Sequence, residues 1–150
     1  MSKHERTINQ IIVHCSDSWW GTEAVIAKWH ADRGWKRIGY HYIIRNGYRD
    51  YKHYRDDLYV AEDDGKIVQT LDWDVTGIHV RGSNSHSIGI CLIGKQFFTC
   101  KQLQSLQQVV AEIRKEWKRA ELRGHYECIA EGDPPKTCPN LDMNALRKLL

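Results

Sequence analysis

Short apolar runs alternate with mixed stretches along the chain, and each run carries one of two periods. Residues 10–15 (Gln-Ile-Ile-Val-His-Cys) are few and rich in β-branched side chains, the pattern of a buried strand. A period of two sets Ile12, His14 and Ser16 on one face, and Ile11, Val13 and Cys15 on the other. Thr22 caps a predicted helix from Glu23 to about Asp32. Ala24, Val25, Ala27 and Trp29 supply much of its apolar face, and Gly34 stops it. Residues 39–44 form a second predicted strand. Residues 46–58, dense in tyrosine, arginine and aspartate without a clean period, read as an inserted loop. A hairpin is expected next, from residues 59–62 and 66–70 around the turn Asp63-Asp64-Gly65.

Residues 75–85 hold Gly77, His79, Gly82 and Asn84, which is loop chemistry, and Ser87 to Ile93 is a third apolar strand. Thr99 and Gln102 form a capping box for a long helix to about Arg119, with Leu103, Leu106, Val110, Ile113 and Trp117 at helical spacing. Residues 122–125 make a last short strand, and Asp142 caps a final helix to Leu149. Strands and helices interleave without repeats. The expected fold class is α/β, one domain over residues 1–150, with a central mixed β-sheet flanked by helices on both faces.

Composition narrows the classes. Hydrophobic residues at 41% and charged residues at 27% exclude a disordered chain, and no apolar run is long enough to span a bilayer. A net charge of +3 is too small and too dispersed to argue for nucleic acid. The run from Tyr48 to Arg55 has the look of a nucleic-acid patch, but Asp50, Asp56 and Asp57 offset its charge, which favours a solvated loop. Six tryptophans and seven tyrosines suggest a groove with aromatic walls. The five cysteines are irregularly spaced and the start of the chain shows no signal-peptide core, so reduced thiols in a cytosol are expected.

Candidate chemistry gathers late in the chain. Pro134, Pro135 and Pro139 stiffen a loop that carries Lys136 and Cys138, soon after His125. Imidazole and thiolate together suit zinc, a borderline-soft ion. His125 and Cys138 are thirteen positions apart, too far for a local knuckle, so a site here must recruit another ligand from elsewhere. His14 closes a strand at its C-terminal end, where open α/β sheets bind ligands.

Several stretches, in order, then carry a resemblance. They are Val13-His14-Cys15-Ser16, Ile26-Ala27-Lys28-Trp29-His30, Gly34-Trp35, and Ile38-Gly39-Tyr40-His41-Tyr42-Ile43-Ile44. Gly77-Ile78-His79 with Asn84, Ser87-Ile88-Gly89-Ile90, Gly124-His125 and Lys136-Thr137-Cys138-Pro139 complete the set. The chain resembles the zinc-dependent N-acetylmuramoyl-L-alanine amidases, the superfamily that includes the phage lysozyme-type amidases and the peptidoglycan recognition proteins. The resemblance implies that His14, His125 and Cys138 bind Zn²⁺ with one position open for water, and that Tyr40 and Lys136 take part in hydrolysis. It further suggests a substrate-binding role for His79, Asn84, Trp19 and Trp20. Two departures stand out: residues 128–133 lengthen the gap between His125 and Cys138, and residues 45–60 form an insertion beside the groove.

The reaction so implied is cleavage of the amide between N-acetylmuramic acid and L-alanine of the stem peptide. Expected partners are peptidoglycan or muropeptides, with no nucleic acid and no membrane span, for a chain acting as a monomer. A peptidoglycan-binding module without catalysis and a cupredoxin-like copper protein are the competing classes; no histidine closely follows Cys138, which weighs against copper. The chain is expected to be made in the cytoplasm and to reach the wall by phage lysis or by delivery from a secretion machine. Cytosolic recycling of wall fragments is the third route.

Overall fold

The computed structural model describes residues 3–150. Met1 and Ser2, part of the start in which the absence of a leader is read, lie outside the described residues. The strands are β1 (Gln10–Cys15), β2 (Tyr42–Ile44), β3 (Ile67–Gln69), β4 (Ser87–Leu92) and β5 (Glu121–Gly124). The α-helices are α1 (Glu23–Asp32), α2 (Tyr51–Arg55), α3 (Cys100–Glu116) and α4 (Met143–Leu149). The strands form one sheet in the order β3-β2-β4-β1-β5. β1 is parallel to both β4 and β5, β2 is parallel to β4, and β3 alone runs antiparallel, against β2. The mixed sheet expected from the pattern is present.

The period of two along β1 and β4 divides the core between two layers. Ile11, Val13, Ile88, Ile90 and Leu92 face α3 and α4, where they meet Leu106, Val109, Val110, Ile113, Met143 and Leu146. Full burial of a side chain such as Ile113 contributes about 1.5–3 kcal/mol. The opposite layer is thinner: Ile43, Cys91 and Ile93 pack with Ile26 of α1, flanked by Trp29, Ile38 and Tyr40. Helix starts follow the predicted caps. Thr22 Oγ1 accepts from the Val25 N–H, and Thr99 and Gln102 exchange hydrogen bonds of 3.0 Å each way. Gln102 is itself buried and donates to the carbonyls of Ile44 and Ile93, tying α3 to the C-terminal ends of β2 and β4.

The expected hairpin is built differently. Residues 59–62 are not a strand; Ala61–Asp63 form a 3-10 turn, and β3 pairs with β2, Ile44 opposite Ile67 and Tyr42 opposite Gln69. Residues 45–66 are therefore one long connection at the tip of the β2–β3 hairpin. The cause is electrostatic. The buried Asp63 carboxylate binds Arg49 (2.5 Å) and Arg45 (3.3 Å), and Arg45 also pairs with Glu23 of α1. That draws residues 61–63 into a tight turn instead of an extended edge. Within the connection, Asp50 accepts from the His53 N–H at 2.9 Å and opens α2, so the tract read as loop contains one short helix.

Candidate active site

β1 and β5 run side by side in register, and the pairing of Val13 with Gly124 makes His14 and His125 neighbours just beyond it. Their ring centroids are 4.7 Å apart. His125 begins a 3-10 turn braced from below: Glu127 accepts from the Gly124 N–H at 2.9 Å and grips Arg147 of α4 at 2.7 and 3.0 Å. Gly124 is required by close approach, since a Cβ there would lie 2.7 Å from Met143 Cγ and 3.0 Å from Pro139 Cδ. The proline-rich loop then returns over the same edge. Tyr126 N–H donates to the Cys138 carbonyl at 2.9 Å, and Asn140 Nδ2 donates to the Lys95 carbonyl at 2.6 Å. At the end of β1 the Cys15 N–H donates to Cys138 Sγ at 3.1 Å. One donor atom each from His14, His125 and Cys138 consequently lie within 4.8 Å of one another.

His14 is oriented from behind. Its Nε2 shares a 2.8 Å hydrogen bond with His79 Nδ1, and His79 Nε2 shares one of 3.1 Å with Ser87 Oγ. This leaves His14 Nδ1 as the nitrogen for the donor cluster. Gly89 makes the room, because a Cβ there would lie 2.8 Å from the His79 ring. Asn84 Oδ1 accepts from the His79 and Val80 N–H groups at 3.0 and 2.9 Å, so it holds the His79 loop. His79 and Asn84, read as substrate contacts, thus reach the site through His14 and through backbone.

Burial, followed by the neighbouring histidines, pushes His14 well below the ordinary imidazole range, and burial, then His41, does the same for His79. Burial and then Lys136 lower His125. Both donor imidazoles are therefore neutral at pH 7, with lone pairs to give. The hydrogen-bonded Cys15 thiol, then burial, push the Cys138 thiol well up, so a thiolate here needs a cation beside it. Two neutral imidazoles, a thiol that ionises only against a cation, and an N–H aimed at its sulfur fit a zinc ion with three protein donors.

A cleft of about 260 Å³ is lined by His125 and Cys138 together with Asp17, Arg33, Tyr40, Lys136, Thr137 and Asn140, with His14 buried beside it against the Tyr40 and His125 rings. The Tyr40 ring is 4.9 Å from that of His14, and burial, then Cys91, holds its phenol well above the usual range. Tyr40 is a protonated donor, not a base. Lys136 is exposed at the cleft. Trp19 and Trp20 do not line it: Trp19 stacks with Tyr54 and Phe97, and Trp20 meets Trp29 and Tyr51 edge-on. Pattern reading missed Arg33, Asn140, Ser87 and the Cys15 N–H. Arg33 and Asn140 carry no local signal, whereas Ser87, on the same strand face as Gly89 and Cys91, was within reach of a period-two reading.

The family model described as N-acetylmuramoyl-L-alanine amidase matches residues 4–141. The chain belongs to the N-acetylmuramoyl-L-alanine amidase family. It is 32% identical over 157 aligned residues to an endolysin of Klebsiella phage KP32, covering 95% of this chain and 86% of that one. To an endolysin of Escherichia phage T7 it is 30% identical, covering 94% and 86%. Among solved structures, the N-acetylmuramoyl-L-alanine amidase LysC from Clostridium intestinale superposes with a TM-score of 0.76 at 22% identity, over 96% of this chain and 85% of that one. Drosophila PGRP-LB superposes with a TM-score of 0.66 at 21% identity, over 91% and 76%. The amidase fold is shared with both. No helix among the described residues is long and apolar enough to cross a membrane.

Proposed function

We propose that this amidase is a zinc enzyme of the phage-endolysin kind, which hydrolyses the amide between the lactyl group of N-acetylmuramic acid and L-alanine of the stem peptide. The observation that carries the reading is the convergence of His14, His125 and Cys138 beneath a cleft that also presents Tyr40 and Lys136. His14, His125 and Cys138 hold the metal, and zinc bound there supplies Lewis acidity and a lowered pKa for water. Lys136 brings a positive charge to the mouth of the cleft, where the carbonyl oxygen of the substrate becomes negative as the tetrahedral centre forms. Tyr40 donates a hydrogen bond from the cleft wall, and Ser87 and His79 keep the His14 ring in one tautomer.

Support for a muropeptide ligand comes from the same fold, since a PGRP-LB variant has been solved in complex with tracheal cytotoxin. Support for synthesis in the cytoplasm and action on the wall after lysis comes from the relatives named endolysin. All three donors and the cleft come from one chain, which is consistent with action as a monomer. The test is mass spectrometry of sacculi digested by the purified protein. Free stem peptides beginning with L-alanine are expected, with release stopped by a chelator and restored by Zn²⁺. Release that persists undiminished after chelation would defeat the metal assignment, and cleavage at another bond would defeat the reaction.

A further inference from the structure

At the same C-terminal end of the parallel strands, the 45–66 connection builds a second concavity of different chemistry. A cavity of about 460 Å³ lies among Trp19, Tyr48, Tyr54, Tyr59 and Phe97, with Asn46 and Asp64 as polar lining. The Trp19 ring is nearly parallel to Tyr54, with centroids 6.4 Å apart and planes at 8°, and to Phe97, at 6.2 Å and 24°. These rings are open to water: Phe97 is 78% exposed, Tyr59 46% and Tyr54 38%. Scattered exposed aromatics are ordinary, but several facing one cavity mark a contact surface.

The shelf is rigid. Asn46 Nδ2 donates to the Trp19 carbonyl and the Gly21 N–H to the Tyr48 carbonyl, each at 2.9 Å, so the insertion is tied to the β1–α1 loop. The Tyr59 ring lies over Gly47, where a Cβ would be 2.5 Å away, and the Val60 N–H donates to the Gly47 carbonyl at 2.9 Å. Tyr48 and Tyr59 point their hydroxyls at the carboxylates of Asp57 and Asp64, at 2.5 and 2.6 Å. One loop serves both places: Ser16 and Asp17 line the cleft and bind Gly94 at 2.9 and 3.1 Å, and Trp19, two residues on, lines the shelf, as does Phe97, three residues past Gly94.

Flat rings in near-parallel planes, set among carboxylates, phenols and a carboxamide, match the two-sided chemistry of a sugar. The C–H face of a pyranose is apolar and meets the negative face of an aromatic ring, while its hydroxyl and acetamido groups find hydrogen-bonding partners at the edge. The substrate of the proposed reaction hangs from a polymer of such rings, and a strand engaged at the cleft must continue past it. We propose that the Trp19–Tyr54–Phe97 shelf is a glycan-strand subsite, which holds N-acetylated amino-sugar rings beside the amide-cleaving cleft. It rests on the amidase reading for the direction of the strand, but its affinity for sugar does not depend on catalysis.

The test separates the two. Peptide-free glycan strands contain no amide to the stem, so calorimetry of the full chain against them reads binding alone. Saturable binding is expected, weakened about five- to tenfold in Phe97→Ala and in Tyr54→Ala, the loss of one ring contact. No saturable binding by the unaltered chain, or unchanged affinity in both variants, would overturn the proposal. A second readout is turnover on intact sacculi against turnover on a small muramoyl dipeptide. Phe97→Ala is expected to slow the first several-fold and leave the second unchanged; equal effects on both would overturn the subsite. Should no amide be cleaved at all, the catalytic reading fails and the calorimetry still decides the shelf.

Discussion

The donor cleft and the aromatic shelf lie at the same C-terminal end of the parallel strands, yet they are assembled in opposite ways. The donor cluster beneath the cleft draws single residues from β1, from the turn after β5 and from the proline-rich loop, and the parallel register of β1 with β5 fixes two of them. The shelf comes mostly from one contiguous connection, held by its own Asp63 with Arg45 and Arg49, with Trp19 and Phe97 contributed by neighbouring loops. The first is bound to the core and cannot move without the sheet. The second hangs on a hairpin tip, where length and content can change with little effect on the layers below. Chemistry sits on the part that cannot vary, and contact with an extended polymer on the part that can.

Cys138→Ser is the most severe test of that division. It removes the sulfur donor from the proposed three-ligand zinc site, so bound zinc and stem-peptide release should both fall below detection while circular dichroism is unchanged. Metal analysis alongside muropeptide assays checks it; retained zinc with full turnover would place the metal elsewhere. Lys136→Ala keeps the donor set and removes a charge from the cleft. A loss of about 100- to 1,000-fold in kcat is expected, with metal content intact.

Acid separates the regions by a different route. Burial holds His30 and His41, both on the α1 side of the sheet, down to about 4, below the ordinary 6.5. The unfolded chain therefore takes up protons first, and stability is lost as pH falls from 6.5 toward about 4. For chelator-treated protein these two alone contribute a loss on the order of 3 kcal/mol from pH 7 to pH 5, to which the lowered His14, His79 and His125 add, seen as a falling thermal midpoint. Asp63 has the same sign in a lower window: Arg49 and then Arg45 hold its carboxyl below the ordinary 3.8, so its contribution persists above that value and is lost only on further acidification. An insertion that opened before the midpoint fell would break the distinction. The mildest change is Asp63→Asn, expected to cost about 1–3 kcal/mol by unpinning the connection. Denaturant melts should record it, with zinc affinity unaltered.

Much of this was legible from residue patterns, and the exceptions have a common cause. The strand from Gln10 to Cys15, the Thr22 cap, the Thr99–Gln102 box and the Asp142 cap follow from local periods and short-range hydrogen bonds, and the structure has each of them. The hairpin differs from its local pattern because residues 59–62 and 42–44 are both plausible partners for 66–70, and a buried carboxylate with two arginines decides between them. Trp19 and Trp20 could be named as aromatic contacts from their loop. That one joins a shelf with Tyr54 and Phe97 while the other packs on Trp29 is a matter of which elements the fold brings past.

The chain by itself determined the α/β plan of one sheet between helices and the strand that ends in His14, because periods and caps act over a few residues. It also held the motifs of the amidase family in order. Only the tertiary structure decided that the β1–β5 register sets His125 beside His14, that a backbone N–H meets the sulfur of Cys138, and that Ser87 reaches His14 through His79. Those contacts join residues far apart in sequence, and the free energy that selects them resides in the packed sheet, where no local pattern records it.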